Sequence, residues 1–356
     1  MEEKTLVEKL ADQLLYRQPK VRRSHSFGLC GVALLDNGAV CLYHGGKKLR
    51  PFHSAAEAVD GRRIDTRTAR SRGSEAEETA EGLKVVSLFE ENGLRLRQEL
   101  LLQKSGELTV QIFLSEKKRS TVRSRYLAPI LAPYPDKDGH PLFLSLDQKM
   151  LLVPYDNDMW ARYESTVPNP GKTSYDVTAI FNEETYEGLV IGSLDHDVWK
   201  NAIGWSAHDA RAFTAYCGAA DAGTHDVMPH GAVCGEEVAS ARFMLLWCSD
   251  IREGMERYSD LCAAQQPPRP WTGGPIFGWN SFSALGMGLR LRHWEEAGDF
   301  IHEELPHFAD EEGVSYINLD ACFGMSHKEI RRIVDKLHSR GQKAGWYAAP
   351  CNCIGP

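Results

Sequence analysis

Three short stretches near the C-terminal end of the sequence carry side chains that could recognise a sugar. They are Gly278-Trp279-Asn280-Ser281-Phe282, Asn318-Leu319-Asp320-Ala321-Cys322-Phe323 and Gly345-Trp346-Tyr347-Ala348-Ala349-Pro350. The carboxylate of Asp320 can accept hydrogen bonds from two neighbouring hydroxyl groups. The rings of Trp279 and Tyr347 can pack on the apolar C–H face of a pyranose. These residue types together predict a carbohydrate-binding site.

Each of the three residues also has a purely structural interpretation. Trp279 could belong to a core, Asp320 could cap a helix or a loop, and Tyr347 could donate a structural hydrogen bond. Their placement at the ends of successive strand patterns favours one shared site, because the carboxyl ends of parallel strands meet at a single edge of a sheet.

Strand and helix patterns alternate around these stretches. The predicted elements are a strand at 276–282, a helix at 293–304 extended past Pro306 to Glu312, a strand at 314–322, a helix at 326–340 and a strand at 343–349. Ser326 with Glu329 three residues later is typical of a helix start, and Gly341 of a helix end. This order predicts parallel strands joined by crossover helices.

The upstream sequence has a different pattern, with short apolar runs separated by Gly, Asn and Asp turns. Leucines at helical spacing predict an N-terminal helix within residues 1–20. Residues 21–265 predict an antiparallel β-sandwich domain that ends in a helix at 249–264. A hairpin is predicted around Asn37-Gly38. The remaining predicted strands are 84–90, 94–103, 108–114, 142–146, 174–181, 188–193, 212–217 and 239–248.

A Pro- and Gly-rich segment at 266–274 predicts a linker between two domains. The sandwich would therefore occupy residues 21–265, and the parallel strands would belong to a second domain that starts at 275 and runs to 356.

Further polar and aromatic clusters lie within the sandwich sequence. Asp156, Asp158 and Trp160 share one short segment, and we expect them to form a loop over the sugar site, the alternative being a polar turn held by its own backbone. Residues 195–200 form a second cluster with the same alternative. A third cluster, at 225–230, contains two histidines and an aspartate between Gly and Pro, and is interpreted as a surface loop.

Composition excludes several classes of function. A formal charge of −8 without a basic stripe argues against a nucleic-acid-binding protein. The arginines between 62 and 72 are interpreted as part of a solvated loop. No apolar run is long enough for a membrane span, and no signal peptide is visible, which predicts a cytoplasmic protein. Nine irregularly spaced cysteines predict reduced core residues. Neither a metal site nor a cofactor site is predicted.

The order of three motifs resembles a known enzyme family. PIFGWNSFSALG, the aspartate of YINLDACF and the run HSRGQKAGWYAAP look like the first three barrel strands of α-galactosidases in glycoside hydrolase families 27 and 36. The preceding sandwich points to family 36. The resemblance implies a β-sandwich followed by the first three strands of a (β/α)8 TIM-type barrel, which is left incomplete at residue 356.

The resemblance also implies roles for individual residues. Trp279 matches a tryptophan that lines the galactose pocket, Asp320 matches an aspartate that binds sugar hydroxyls, and Tyr347 matches a tyrosine near the sugar ring. Two positions depart from the pattern: Ala321 replaces a second aspartate and Phe323 a tryptophan. The loss of one hydroxyl acceptor leaves N-acetylgalactosamine open as an alternative to galactose.

Retaining hydrolysis uses two carboxylates about 5–5.5 Å apart, one as nucleophile and one as general acid/base. The resemblance places them after the fourth and sixth barrel strands, so they are expected beyond residue 356, and no catalytic residue can be named here. The implied partners are an oligosaccharide or glycoside substrate and a second copy in a homo-oligomer. The alternatives are a non-catalytic carbohydrate-binding protein and an inactive fragment.

Overall fold

The computed structural model describes residues 19–45, 47–48, 51–117, 120–132, 148–154, 164–166, 173–205, 213–219, 231–320 and 326–346. The N-terminal helix and the strand at 142–146 that the sequence predicts lie outside these residues. The chain divides into two compact units, Met1–Pro267 and Pro268–Pro356. No helix in the described part of the chain is long and apolar enough to cross a membrane.

The described part of the first unit consists mainly of β-strands, and one helix follows them. The strands are β1 (Val21–Phe27), β2 (Cys30–Leu35), β3 (Val40–His44), β4 (Lys47–Lys48), β5 (His53–Ala58), β6 (Arg63–Asp65), β7 (Arg70–Glu78), β8 (Gly82–Glu91), β9 (Leu94–Gln103), β10 (Leu108–Glu116), β11 (Val122–Ala132), β12 (Gln148–Leu152), β13 (Glu164–Thr166), β14 (Thr173–Tyr175), β15 (Val177–Asn182), β16 (Gly188–Ser193), β17 (Asn201–Trp205), β18 (Phe213–Cys217), β19 (Val233–Gly235), β20 (Glu237–Ala239) and β21 (Phe243–Cys248). The helix is α1 (Ile251–Gln265).

These strands form three sheets with antiparallel pairing. The first sheet has the order β1-β2-β3-β4. The second has ten strands in the order β13-β12-β15-β16-β21-β10-β9-β8-β7, with β20 also paired to β10. The third has seven strands in the order β14-β17-β18-β11-β5-β6, with β19 also paired to β11. The prediction of a mainly antiparallel β-rich structure with few helices is confirmed.

One hydrophobic core joins the two large sheets. Along β9 every second residue is buried, as the period of two in a strand requires when one face meets a core. Leu96 and Leu100 of β9 and Leu127 and Ile130 of β11 belong to the same buried cluster. The alternating leucines of β9 therefore account for the stacking of the sheets, since burial of apolar side chains is the main stabilising contribution.

Two predicted strands are interrupted in the structure. The strand predicted at 174–181 is broken at Asp176, whose φ of 59° lies in the left-handed region, so β14 and β15 belong to different sheets. The backbone N–H of Ser193 donates to the Asp176 carbonyl at 2.8 Å, which holds this bend in place. The strand predicted at 239–248 is likewise divided into β20 and β21, which both pair with β10 and are separated by residues 240–242.

The prediction of a solvated loop for the arginines between 62 and 72 is wrong. Arg63 lies in β6, and Arg70 and Arg72 lie in β7, which pairs with β8 along its length. Most side chains of β7 are exposed because it is an edge strand. Charged residues on an edge strand protect its open side from pairing with other chains, and that charge concealed the strand in the sequence.

His53 of β5 gives the stability of this unit a specific pH dependence. Burial lowers the pKa of His53 to about 4, against opposition from Asp65 and with a smaller lowering by Arg67. Below about pH 6.5 His53 takes up a proton in the unfolded chain, whereas in the folded chain it does so only near pH 4. The free energy of unfolding therefore falls as the pH decreases from about 6.5 to about 4. Over this pH range the free energy of unfolding falls by about 3 kcal/mol.

We expect the loss of unfolding free energy between pH 7 and pH 4.5 to be smaller by about 2 kcal/mol in His53→Gln than in the native chain. Urea denaturation at both pH values measures this difference, and the carboxylates contribute equally to both proteins. The exposed His302→Gln variant is the matched control and should behave as the native chain does. An identical pH dependence in His53→Gln would refute the role of His53.

The second unit contains a parallel sheet and its connecting helices. Its elements are β22 (Gly278–Asn280), α2 (Phe282–Leu285), a 3-10 turn (Gly286–Gly288), α3 (Leu291–Glu304), β23 (Tyr316–Leu319), α4 (His327–Ser339) and β24 (Lys343–Trp346). The sheet order is β22-β23-β24, and both pairs are parallel. The predicted β-α-β-α-β order is present in these residues. The three strands form an open sheet, so the closed barrel stays a prediction.

Helix boundaries in this unit follow local capping rules. Ser326 Oγ accepts from the Glu329 N–H at 3.4 Å at the start of α4, and Gly341 after its end has a φ of 75°. The predicted extension of the preceding helix to Glu312 is wrong, because α3 ends at Glu304. Pro306 has no N–H and restricts the residue before it, and both properties end a helix.

Candidate functional site

The register of the parallel sheet determines which residues lie on each of its two faces. Trp279 pairs with Ile317, and Ile317 pairs with Ala344 in the next strand. Ile317 and Leu319 are fully buried in the cluster between the sheet and its helices, and Trp294 of α3 donates from Nε1 to the Ile317 carbonyl at 2.6 Å. This row therefore faces the helices.

The alternate positions lie on the opposite face of the sheet. Asn280 pairs with Asn318, and Asn318 pairs with Gly345. Asp320 follows two residues after Asn318, at the carboxyl end of β23. Two carboxamides and one carboxylate thus belong to the face turned away from the helices, and such groups exchange hydrogen bonds with hydroxyls.

Asp320 is held by its backbone while its carboxylate remains available. Its N–H donates to Ser281 Oγ at 2.9 Å, and the N–H of Ser281 donates to the Asn318 carbonyl at 3.1 Å. Ser281 is fully buried, so it fixes the end of β23 to the end of β22. The Asp320 side chain is half-buried and forms no hydrogen bond or ion pair with any residue that the structure describes.

Glycines keep the sheet close-packed on this side. A Cβ at Gly345 would lie 2.6 Å from Asn318 Oδ1, so the Asn318 side chain occupies the space over Gly345. Asn280 Oδ1 accepts from the Phe282 N–H at 2.8 Å, which begins the short helix α2 directly after the strand. The carboxamides are thus positioned by the backbone of neighbouring elements.

Of the two predicted aromatic residues, Trp279 belongs to the described part of the chain and Tyr347 does not. Trp279 is the middle residue of β22. Its side chain is half-buried and packs against the cluster between the sheet and its helices, in the row that contains Ile317. Trp279 therefore lies on the face of the sheet opposite Asp320. Tyr347 lies outside the described residues, as do Asp156, Asp158 and Trp160. The roles of the four residues outside the described part of the chain stay predictions.

Ion pairs between α3 and α4 support the sheet from its helix side. Arg332 donates two hydrogen bonds to the Glu295 carboxylate, at 3.0 and 2.6 Å, and Lys336 bridges Glu295 and Asp299 at 2.8 Å. The hydrogen bond from Arg332, followed by that from Lys336, lowers the pKa of Glu295 to about 2. A Cβ at Gly298 would lie 2.2 Å from Leu337, so the helices are in close contact here.

Of the two clusters predicted at 195–200 and 225–230, the structure describes the first. In the 195–200 cluster, Asp195 accepts a hydrogen bond from the Arg242 backbone N–H at 2.8 Å and another from the Arg242 guanidinium at 2.5 Å. Burial raises the pKa of Asp195, but these bonds outweigh it and lower the pKa overall. This carboxylate therefore fixes the short segment that connects β20 to β21. The cluster at 225–230 lies outside the described residues.

Within the described ranges, no group of three His, Cys, Asp or Glu side chains could hold a metal ion. Of the described cysteines, Cys30, Cys41 and Cys217 are buried.

Several solved structures share the fold of this chain, and they are glycosidases. A β-arabinopyranosidase is similar with a TM-score of 0.60 and 11% identity, over 92% of this chain and 55% of that chain. The α-N-acetylgalactosaminidase NagBb from Bifidobacterium bifidum, in complex with GalNAc, has a TM-score of 0.52 and 12% identity, over 94% of this chain and 61% of that chain. A glycoside hydrolase family 97 enzyme from Pseudoalteromonas sp. strain K8, in complex with panose, has a TM-score of 0.53 and 8% identity, over 89% and 52%.

The chain thus has a glycosidase fold, and it spans little more than half the length of these structures. No protein-family model and no curated protein matches the sequence. The similarity does not single out family 36, so that assignment continues to depend on the sequence motifs.

Sequence reasoning identified Asp320 but did not assign Ser281, Asn280 or Asn318 to the site. A signal for Asn318 was present, because residues two apart in a strand share a face. The contribution of Ser281 depends on the pairing of β22 with β23, which no local pattern specifies.

Proposed function

We propose that the chain is the N-terminal part of a retaining, α-galactosidase-like glycoside hydrolase that acts on terminal α-linked galactose or N-acetylgalactosamine. The observation that carries this proposal is the half-buried Asp320 carboxylate, which has no partner among the described residues while its backbone is fixed by Ser281. A carboxylate held in this way can accept two sugar hydroxyls at once without first breaking a protein contact.

In this proposal Asp320 binds the sugar and does not attack it. Asn280 and Asn318 add donors and acceptors on the same face of the sheet. Tyr347 borders the sugar, as the family resemblance implies. Trp279, to which the resemblance assigns the same role, packs in the row that faces the helices. The catalytic carboxylates follow the fourth and sixth strands of a (β/α)8 barrel, in sequence beyond residue 356.

Two findings support N-acetylgalactosamine as an alternative to galactose. Ala321 stands where the family pattern has a second aspartate, which removes one hydroxyl acceptor. One solved structure with the same fold is named as an α-N-acetylgalactosaminidase. Homo-oligomer formation is proposed from the family resemblance alone.

Replacement of Asp320 tests this proposal through binding. We expect the 356-residue chain to bind methyl α-galactoside or methyl α-N-acetylgalactosaminide in isothermal titration calorimetry, and Asp320→Asn to weaken that binding at least about tenfold, since hydrogen bonds to a charged group contribute about 1.5–3 kcal/mol. The control is Asp335→Asn, which removes the same charge from an exposed position on α4.

Equal affinities of the native chain and both variants would contradict the role of Asp320. Binding that both variants lose equally would show an effect of net charge and would also contradict it.

A further inference from the structure

Ser281 forms three hydrogen bonds, which join the end of β22 to the end of β23 and to α2. Its backbone N–H donates to the Asn318 carbonyl at 3.1 Å, and its carbonyl accepts from the Leu285 N–H at 2.9 Å. Its Oγ accepts from the Asp320 N–H at 2.9 Å. The residue is fully buried. One small residue thus connects three elements at the edge of the sheet that carries Asp320.

The hydrogen-bond ladder between β22 and β23 shows which of these bonds departs from regular pairing. The Tyr316 N–H donates to the Phe277 carbonyl at 2.9 Å, as the pairing of the two strands requires. A residue in a parallel ladder donates to one residue of the neighbouring strand and accepts from the residue two positions further along that strand. Because Ser281 donates to Asn318, the next bond of the ladder would run from the Asp320 N–H to the Ser281 carbonyl.

The Ser281 side chain takes the place of that carbonyl. The backbone of Ser281 is helical, with a φ of −69° and a ψ of −25°, and its carbonyl accepts from Leu285 as the first hydrogen bond of α2. The Asp320 N–H meets the hydroxyl oxygen instead. The chain can therefore leave the sheet at Ser281, while Asp320 keeps the hydrogen bond that a continuing ladder would have given it.

This exchange of partners depends on the residue type at position 281. The hydroxyl oxygen of a serine reaches the Asp320 N–H, whereas alanine, which is close to serine in size, has no side-chain acceptor. Asp320 is half-buried, and a backbone N–H that is shielded from water without a partner is unfavourable. Without the hydroxyl, the backbone of Asp320 would shift to find another acceptor, and its carboxylate would shift with it.

We propose that Ser281 is a positioning residue for sugar recognition, whose hydroxyl holds the Asp320 backbone where the carboxylate can meet two sugar hydroxyls. This role rests on the function proposed above, because it needs Asp320 to be the sugar-binding carboxylate. Ser281 is buried too deeply to touch a sugar, so it acts through Asp320.

Titration calorimetry of the 356-residue chain with methyl α-galactoside and methyl α-N-acetylgalactosaminide tests this role. We expect Ser281→Ala to weaken binding about fivefold, which is the effect of one hydrogen bond on an affinity. Ser281→Thr keeps the hydroxyl oxygen and is expected to bind within about twofold of the native chain. The matched control is Ser283→Ala, which removes an exposed hydroxyl from α2 and should bind as the native chain does.

Amide hydrogen exchange, resolved by proton–nitrogen NMR spectroscopy, tests the anchoring of Asp320 without any sugar. We expect the Asp320 amide to exchange at least about fivefold faster in Ser281→Ala than in the native chain. The native rate should return in Ser281→Thr and persist in Ser283→Ala. The amides of Ile317 and Leu319 should keep their protection in all three variants, because their pairing within β23 does not use the hydroxyl.

An unchanged exchange rate of the Asp320 amide in Ser281→Ala would overturn the role of Ser281, whether or not a sugar binds. Faster exchange throughout β23 would overturn it too, because Ser281 would then support the whole sheet and not Asp320 in particular. If the native chain binds neither glycoside, the proposed function fails and this role fails with it. If the native chain binds and Ser281→Ala binds equally well, only the role of Ser281 is refuted.

Discussion

Replacing Arg257 by alanine is expected to lower the free energy of unfolding of the first unit by about 2–3 kcal/mol. Arg257 of α1 donates from Nε to Glu107 Oε1 at 2.6 Å, and the Glu107 side chain is only 1% exposed. Burial raises the pKa of Glu107, but hydrogen bonds from Ser105 and Arg257 outweigh it and keep the pKa below its ordinary value. Without Arg257 the buried Glu107 carboxylate loses its counterion. Removing one partner of a buried ion pair destabilises a protein strongly, because the remaining charge is left buried and uncompensated.

Chemical denaturation of three variants measures this effect. Arg252→Ala is the matched control, since Arg252 is an exposed arginine of the same helix whose surface ion pair with Asp250 contributes about 0–1 kcal/mol. The double variant Glu107→Gln/Arg257→Ala removes the charge together with its partner and should recover part of the lost stability. Equal losses in Arg257→Ala and Arg252→Ala would show that Glu107 does not depend on Arg257.

Replacing Gly278 by alanine is expected to disrupt the edge of the parallel sheet that holds Asp320, at a cost of about 3 kcal/mol. A Cβ at this position would lie 1.9 Å from the Tyr316 carbonyl oxygen, and a backbone atom paired in a sheet cannot move aside without breaking the pairing. The contacts of Ser281 with Asn318 and Asp320 depend on that pairing, so sugar binding should be lost with it.

Hydrogen exchange measured by mass spectrometry locates this damage. We expect faster exchange at β23 in Gly278→Ala, with the strands β8 and β9 unaffected. Gly274→Ala is the control, because a Cβ at Gly274 would meet no atom within 4 Å. Unchanged protection of β23 in Gly278→Ala would mean that β22 and β23 are not paired as described.

Strands with a regular alternation were predictable from the sequence. The bounds predicted for β9 and β16 coincide with those of the structure. β9 alternates between apolar and polar residues, whereas β16 is a short, almost wholly buried run. The start of α4 was equally predictable, since Ser326 caps it through a local hydrogen bond. Residues within about four positions of each other along the chain are sufficient to predict such elements.

Features that depend on distant parts of the chain were not predictable. The left-handed Asp176 that separates β14 from β15 is held by Ser193 and Asn201, which are far along the sequence. The charged strand β7 has no apolar alternation of its own and is defined by pairing with β8. Intrinsic β-propensity is a weak guide to edge strands, because the residues of an edge strand pair with only one neighbouring strand and otherwise face solvent.

The candidate site divides in the same way. Asp320 was identifiable because it ends an apolar strand and matches a family motif. The pairing that brings Ser281 to the Asp320 backbone required the structure, as did the row in which Trp279 lies.

A crystal structure of the 356-residue chain with galactose or N-acetylgalactosamine is the most direct test of the proposed sugar site. We predict a sugar on the face of the parallel sheet turned away from α3 and α4, with two of its hydroxyl oxygens about 2.5–3.0 Å from the Asp320 carboxylate. A bound sugar elsewhere, with Asp320 facing only solvent, would contradict the assignment of Asp320 as the sugar-binding carboxylate.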